Sequence, residues 1–159
     1  MSPRAAARLE SLGFRRVYDY AAGKADWLAH GLPREGRSQA AVYAGDLARS
    51  QVPTSRLGER LGAAAARARE AGRRDLCLVL DEDGVLLGRL HAAALRGDPS
   101  AAVEEVMEEG PSTIRANRRV EELLRRRAPG PSHFLVTTPR GRLVGVLWRE
   151  EAEAELDPD

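Results

Sequence analysis

Two stretches with one shared pattern decide the fold of this chain: VLDEDGVLLGRL at residues 79–90 and VTTPRGRLVGVL at residues 136–147. Each has an apolar run, a polar turn that contains glycine, and a second apolar run, which is the pattern of a β-hairpin. The glycines of the two stretches match at one spacing of 57 residues, Gly84 with Gly141 and Gly88 with Gly145. Two glycine pairs at one spacing predict that a structural unit is duplicated.

Predicted helices and a short leading strand flank the hairpins in a repeated order. Before the first hairpin, residues 57–68 have apolar side chains on one helical face, and Asp98-Pro99 begins a predicted helix after it. Around the second hairpin, residues 113–115 are a predicted leading strand and residues 149–156 a charged helix. One copy is too small to bury its own sheet. We therefore expect an α/β (α+β) fold of two β-α-β-β-α modules packed sheet to sheet.

A segment of different character precedes the repeat. Ser2-Pro3 predicts the start of a helix that ends at Gly13, residues 14–20 (FRRVYDY) are a predicted strand, and residues 24–30 a second helix. The chain is divided accordingly into a helix-strand-helix appendage at residues 1–36, a linker at 37–51, a first module at 52–109 and a second module at 110–159.

The composition excludes several classes of protein. The 159 residues are 43% hydrophobic and 31% charged, and the net charge of +1 argues against a protein held on nucleic acid by phosphate contacts. No apolar run approaches the roughly 20 residues that span a bilayer, and the N-terminus lacks the order of a signal peptide, so we expect a cytoplasmic protein. Cys77 is the only cysteine, which excludes an internal disulfide and a thiolate zinc cluster. Arginine outnumbers lysine heavily, as in proteins of GC-rich bacteria.

The repeated region resembles a tandem CBS-domain pair, also called a Bateman module. The resemblance covers roughly residues 52–156 and is carried by LCLVLDEDGVLLGRL (76–90), VEEVMEEGPSTIRANRRVEELL (103–124) and FLVTTPRGRLVGVLWREEAEA (134–154). It implies a non-catalytic regulatory protein that requires no cofactor and forms a homodimer. It also implies that AMP, ADP, ATP or an S-adenosyl compound is sensed in the cleft between the modules.

The resemblance also indicates where a ligand would bind. In the family, the pattern Gly-apolar-apolar-Thr/Ser-x-x-Asp supplies a carboxylate for the ribose. In the second module this pattern begins at Gly145, with Trp148 in the Thr place and Glu151 in the Asp place; the first module has His91 and Ala94 there. We therefore expect the better site in the second module. The candidate ligand-binding residues are Thr113 and Ile114 on the leading strand, His133 and Phe134 at the start of the hairpin, and Arg149 and Glu151 on the helix.

The appendage resembles a different family. Residues 2–36 (SPRAAARLESLGFRRVYDYAAGKADWLAHGLPREG) are similar to the last part of a rhodanese, or sulfurtransferase, domain. In rhodaneses the catalytic cysteine lies in a loop just before the helix that begins here near Ser2. The resemblance therefore implies a truncated fragment without that loop, and Cys77 lies in a predicted strand of the other region. We expect no catalytic residues and no metal site in this chain.

Two further functions fit the sequence. The chain could be a CBS-fold interaction or dimerisation module without a small ligand, with Trp148 filling the cleft. It could also be the accessory remnant of a sulfurtransferase whose catalytic cysteine lies on another segment. Binding of an adenosyl compound favours the regulatory pair, and a closed cleft packed with side chains favours an interaction module.

Overall fold

The computed structural model describes residues 3–34, 41–73, 75–125 and 130–156. The helices are α1 (Pro3–Ser11), α2 (Gly23–Ala29), α3 (Ala44–Leu47), α4 (Leu61–Glu70), α5 (Val103–Val106), α6 (Val120–Leu124) and α7 (Arg149–Leu156). The strands are β1 (Thr54–Arg56), β2 (Leu76–Leu80), β3 (Leu86–His91), β4 (Glu108–Glu109), β5 (Thr113–Arg115), β6 (His133–Thr137) and β7 (Leu143–Trp148). They form two sheets, in the orders β1-β2-β3-β4 and β5-β6-β7.

The two sheets are copies of one another, which confirms the predicted duplication. In each sheet a short leading strand runs parallel to the first hairpin strand, and the two hairpin strands are antiparallel. The hairpin register shifts at the same place in both, between Val79 and Leu80 and between Val136 and Thr137. The turn glycines Gly84 and Gly141 have φ of 79° and 82°, a left-handed conformation that glycine adopts without steric cost.

The sheets pack face to face, as the sequence predicts. Their shared core is formed by apolar side chains from both hairpins: Leu76, Leu78, Leu135, Val146 and Trp148. The hairpin turns also bind each other, because the Leu86 amide donates to the Gly141 carbonyl at 3.0 Å and the Leu143 amide donates to the Gly84 carbonyl at 2.9 Å. Burying a side chain of this size is worth roughly 1.5–3 kcal/mol. This core therefore holds the two modules together.

Each sheet is completed by a segment that precedes the leading strand of the other module. Arg49 exchanges two backbone hydrogen bonds with Val146 of β7, at 2.9 and 3.0 Å. In the other sheet, Arg89 of β3 pairs with Glu108 of β4. Helix α3, inside the predicted linker, packs its buried Ala44 into the core of the second module. The predicted linker therefore contributes a packed helix and a paired backbone segment to the second module. The module boundaries at residues 52 and 110 stay predictions.

These crossing segments explain why glycine occurs at positions 88 and 145. A Cβ atom on Gly145 would lie 2.5 Å from the carbonyl oxygen of Arg49. A Cβ atom on Gly88 would lie 2.6 Å from the sulfur of Met107 and 3.0 Å from the carbonyl oxygen of Glu108. Both glycines therefore allow a second backbone to approach the hairpin closely.

Two sequence predictions about local structure are wrong. Residues 14–20 are not a strand in the structure; Phe14 and Tyr18 are exposed and no described strand pairs with this segment. A strand without a neighbour leaves its backbone groups unpaired. The helix predicted to begin at Asp98-Pro99 is only the short α5, because the Asp98 carboxylate accepts hydrogen bonds from the Ser100 amide and hydroxyl at 2.9 and 2.7 Å. Such local bonds hold the backbone in a turn instead of a helix.

The appendage contacts the second module through α2. Leu28 on this helix is buried in the same core as Tyr43 and Ala44. Tyr43 is also contacted from the appendage by Lys24, whose ammonium donates to the Tyr43 hydroxyl at 2.9 Å. The resemblance of residues 2–36 to a rhodanese stays a prediction.

A methyl group added at either crossing point tests these close approaches. We expect Gly145→Ala and Gly88→Ala both to lower the free energy of unfolding, by the roughly 1–3 kcal/mol typical of overpacking. The loss should be larger for Gly145→Ala, because the clash there is with a carbonyl oxygen and the Met107 side chain can move. Urea unfolding of both variants measures the difference. An equal or smaller loss at Gly145 would contradict the contact with Arg49.

Candidate functional site

Two clefts contain the six candidate residues. The first, which we call the His133 cleft, has a volume of about 590 Å³ and is lined by Arg89, Ser112, Thr113, Ile114, Arg115, Arg118, Glu122, Leu123, Pro131, His133, Phe134, Leu135 and Arg149. The second, the Trp148 cleft, consists of two adjoining cavities of about 490 and 620 Å³. It is lined by Ala48, Arg49, Ser50, Gln51, Val52, Ala71, Arg73, Asp75, Ser132, Trp148, Arg149, Glu150, Glu151, Glu153 and Ala154.

The structure brings five of the six candidate residues together in the His133 cleft: Thr113, Ile114, His133, Phe134 and Arg149. The leading strand β5 is at the edge of its sheet, so side chains on both of its faces reach the cleft. Glu151, the sixth candidate, lies in the Trp148 cleft, where its carboxylate accepts a hydrogen bond from Arg49 at 3.1 Å. The expected ribose carboxylate therefore shares a cavity with Arg149 and is separated from Thr113, Ile114, His133 and Phe134.

His133 has an unsatisfied polar atom in its cleft. Its Nε2 is buried, and no described residue hydrogen-bonds to it. Its Nδ1 lies 3.1 Å from the Ser132 hydroxyl, and its ring centre lies 5.3 Å from that of Trp148. A buried polar atom without a partner costs about 1–3 kcal/mol relative to a satisfied one. A ligand group that hydrogen-bonds to Nε2 would recover that cost.

The surroundings keep His133 neutral at neutral pH. Burial is the main cause that lowers the pKa of His133 below its ordinary value of 6.5, and the positive charges of Arg89 and His91 lower it further. The charge of Asp75 opposes this shift. A neutral imidazole has one nitrogen that donates and one that accepts, so Nε2 can bind either kind of group.

Arginines surround the polar end of the His133 cleft. Arg89 comes from the first module and donates two hydrogen bonds of 3.0 Å to the Glu108 carboxylate. Arg149 donates to the Pro131 carbonyl at 2.9 Å and to Glu153 at 3.2 Å, and its guanidinium lies 5.6 Å from the Phe134 ring centre. The cleft therefore has an aromatic wall next to cationic groups.

The Trp148 cleft is partly filled by its own side chains. Trp148 is only 8% exposed and belongs to the core between the sheets. The guanidinium of Arg73 lies 3.9 Å from the Trp148 ring centre, a cation–π contact that is worth roughly 0.5–2 kcal/mol. This stack and the Arg49–Glu151 pair line the cleft with side chains that already have partners.

Comparisons with known proteins find the same architecture. No family model and no curated protein sequence matches the chain. Among solved structures, the cytosolic domain of the Mg²⁺ channel MgtE in complex with ATP matches with a TM-score of 0.63 and 26% identity over 72% of this chain. The chain spans about half, 48%, of that domain.

Two further solved structures match along most of their length. A CBS domain-containing protein from Bacillus anthracis has a TM-score of 0.64 and 18% identity, with 76% of this chain and 97% of that one covered. CBSX2, a CBS-pair protein of Arabidopsis thaliana, matches in its complex with AMP with a TM-score of 0.60 and 17% identity, over 72% and 95% of the two chains. The chain has the fold of a CBS-domain pair.

Sequence reasoning missed three arginines that line the His133 cleft: Arg89, Arg115 and Arg118. Arginine on an exposed strand or before a helix carries no signal of its own. The duplication does offer one: since the sheets pack face to face, the leading strand of one module lies near the second hairpin strand of the other. That relation brings Arg89 of β3 close to Thr113 of β5.

The chemistry of the remaining candidate groups is limited. Burial raises the pKa of the Cys77 thiol to about 11, so the thiol stays protonated and unreactive. Across residues 3–34, 41–73, 75–125 and 130–156, no group of three or more His, Cys, Asp or Glu side chains could hold a metal ion. None of the helices in the described parts of the chain has the length and apolar character needed to cross a membrane.

The lowered pKa of His133 gives this chain a pH-dependent stability. The unfolded chain binds a proton on this residue at about pH 6.5 and the folded chain only at lower pH. Between these values the unfolded state binds more protons, so the free energy of unfolding falls as the pH is lowered. We expect this fall, measured by urea unfolding at pH 7.5 and 5.5, to be smaller in His133→Leu. Leucine occupies the equivalent position, Leu76, of the first module. An equal fall in both proteins would contradict the assignment.

Proposed function

We propose that this chain is a non-catalytic regulatory CBS pair that binds one adenine-containing ligand in the His133 cleft. The ligand classes are AMP, ADP, ATP and S-adenosyl compounds. The observation that carries the proposal is that five of the six candidate residues line one cavity of about 590 Å³, next to a buried His133 Nε2 to which no described residue hydrogen-bonds.

The other walls of the His133 cleft suit such a ligand. A volume of about 590 Å³ lies within the roughly 300–1,000 Å³ of small-molecule sites. Phe134, Ile114 and Leu123 offer apolar surface for a base. His133 offers a hydrogen bond to the edge of the base, and the arginines offer charge for phosphate. Solved structures similar to this chain contain ATP and AMP, which supports the same ligand class.

A ligand in this cleft would touch both modules. Arg89 belongs to the first hairpin, whereas Thr113 and His133 belong to the second sheet. A ligand that binds one relative orientation of the modules more tightly than another shifts the population towards it. Such a shift allows a protein without catalytic residues to regulate a partner. We further propose that the chain acts in the cytoplasm as a homodimer, in which this shift would change the contact between protomers.

Isothermal titration calorimetry with AMP, ADP, ATP and S-adenosylmethionine tests the proposal on the full chain. We expect heat of binding from at least one of them at millimolar concentration or below. His133→Ala should weaken that binding by about tenfold, since removing one partner of a buried hydrogen bond costs roughly 1–3 kcal/mol.

Glu151→Ala is the matched variant in the Trp148 cleft and should leave the affinity unchanged. If Glu151→Ala weakens binding and His133→Ala does not, the ligand lies in the Trp148 cleft. If none of the four compounds produces heat or stabilises the chain, the proposed function is wrong.

The packing of Trp148 favours a second candidate function, a CBS-fold interaction or dimerisation module without a small ligand. Trp148 is buried between the sheets and stacks with Arg73, as expected for a side chain that serves packing instead of a ligand. The calorimetric titration described above distinguishes the two candidate functions, because an interaction module gives no heat of binding with any adenine compound.

A further inference from the structure

We propose that Arg115 and Arg118 make the His133 cleft selective for an adenine nucleotide with two or three phosphates over AMP and S-adenosyl compounds. This inference rests on the proposed function and adds the class of ligand. It comes from a comparison of the two copies of the repeat, which differ in the sign of the charge at one of two equivalent positions.

The charge of Arg115 is held in place without a carboxylate. Its guanidinium donates to the Thr137 hydroxyl at 2.7 Å and to the Thr138 carbonyl at 2.6 Å. Thr137 and Thr138 are both buried, so these bonds fix the guanidinium at the end of the sheet. Within the described part of the chain, no acidic side chain forms an ion pair with Arg115. Its charge is therefore fixed and uncompensated.

Arg118 lies beside it in the same cleft and adds a second uncompensated charge. Among the described residues, no carboxylate lies within ion-pair distance of Arg118. Glu122 is the one carboxylate among the described lining residues of the cleft. It forms no ion pair with a residue that the structure describes. Arg115 and Arg118 thus line a cavity whose described residues include one acidic group.

The first module shows that the fold does not need this charge. Arg56 and Glu59 occupy the positions equivalent to Arg115 and Arg118, 59 residues earlier on the leading strand and in the turn that follows. There the acidic Glu59 forms an ion pair with Arg67 of α4. The first copy therefore carries a paired acidic side chain at the position where the second copy carries Arg118, for which the described residues offer no ion-pair partner. An anionic ligand is the physical reason to keep that positive charge.

The other cleft has the opposite balance. Asp75, Glu150, Glu151 and Glu153 line the Trp148 cleft, together with three arginines. Each phosphate added to a nucleotide brings further negative charge and acceptor oxygens. Two or three linked phosphates are therefore repelled from the Trp148 cleft and attracted to Arg115 and Arg118. Guanidinium groups suit phosphate because their N–H groups match its oxygens in pairs.

Calorimetry with ATP, ADP, AMP and inorganic tripolyphosphate tests the selectivity on the full chain. We expect ATP to bind at least about tenfold more tightly than AMP, as for one or two charge-assisted hydrogen bonds. Arg118→Gln should weaken ATP by about tenfold and AMP by less than about twofold, since AMP does not reach this side chain. Arg56→Gln removes the same charge outside the cleft and should change neither. Circular dichroism of each variant verifies that it is folded.

The possible failures are distinguishable. If AMP binds as tightly as ATP and Arg118→Gln weakens neither, this inference is overturned while the proposed function stands. If no adenine compound binds, the proposed function fails. If tripolyphosphate binds as tightly as ATP and depends on Arg118, the phosphate site is supported and the adenine site is overturned.

Discussion

The close approach of two backbones at Gly145, and its counterpart at Gly88, is the constraint on which the rest of the structure depends. Arg49 can pair with β7 only because no side chain projects from Gly145, and β4 can pair with β3 only because none projects from Gly88. The second sheet is thus completed by a segment that precedes the first module, and the first sheet by a segment just before the leading strand of the second module. The two modules therefore form one folded unit, and the clefts between them have fixed walls.

Duplication followed by divergence explains the difference between the two clefts. The same position of the repeat is Trp148 in the second copy and His91 in the first, and its neighbour across the hairpin is His133 in one and Leu76 in the other. The large indole packs between the sheets and stacks with Arg73, next to two adjoining cavities. The His133 cleft combines its volume with an unpartnered imidazole nitrogen and several arginines. The second copy therefore supplies both a residue that has become part of the core and most of the residues of the candidate site.

The fold could be predicted from the sequence because the signals that decide it are local. Hairpin turns, their glycines and the apolar runs beside them predict the strands, and the charged helix Arg149–Leu156 has the predicted bounds. The two wrong predictions arose where the local sequence pattern did not decide the structure: one segment lacks a partner strand, and the other is held in a turn by a side chain. Residues 14–20 have the composition of a strand without a neighbouring strand, and Asp98 forms a turn through its own side chain.

The site was less predictable because it depends on which segments meet across the two modules. Glu151 fits the family pattern in sequence, but the crossing segment brings Arg49 to it and separates it from His133. Arg115 and Arg118 have no pattern that distinguishes them from the other arginines of the chain. Their role emerges only when the ion pair of Glu59 in the first copy is set beside them.

Nitrogen NMR of the histidine side chains tests most directly whether a ligand binds at His133. The chain has three histidines, so the resonances can be assigned by single substitutions. On addition of ATP, the account predicts that the Nε2 resonance of His133 shifts as the nitrogen gains a hydrogen bond, while the resonances of His30, in the appendage, stay in place. Saturating ATP that leaves the His133 resonance unchanged would contradict the account.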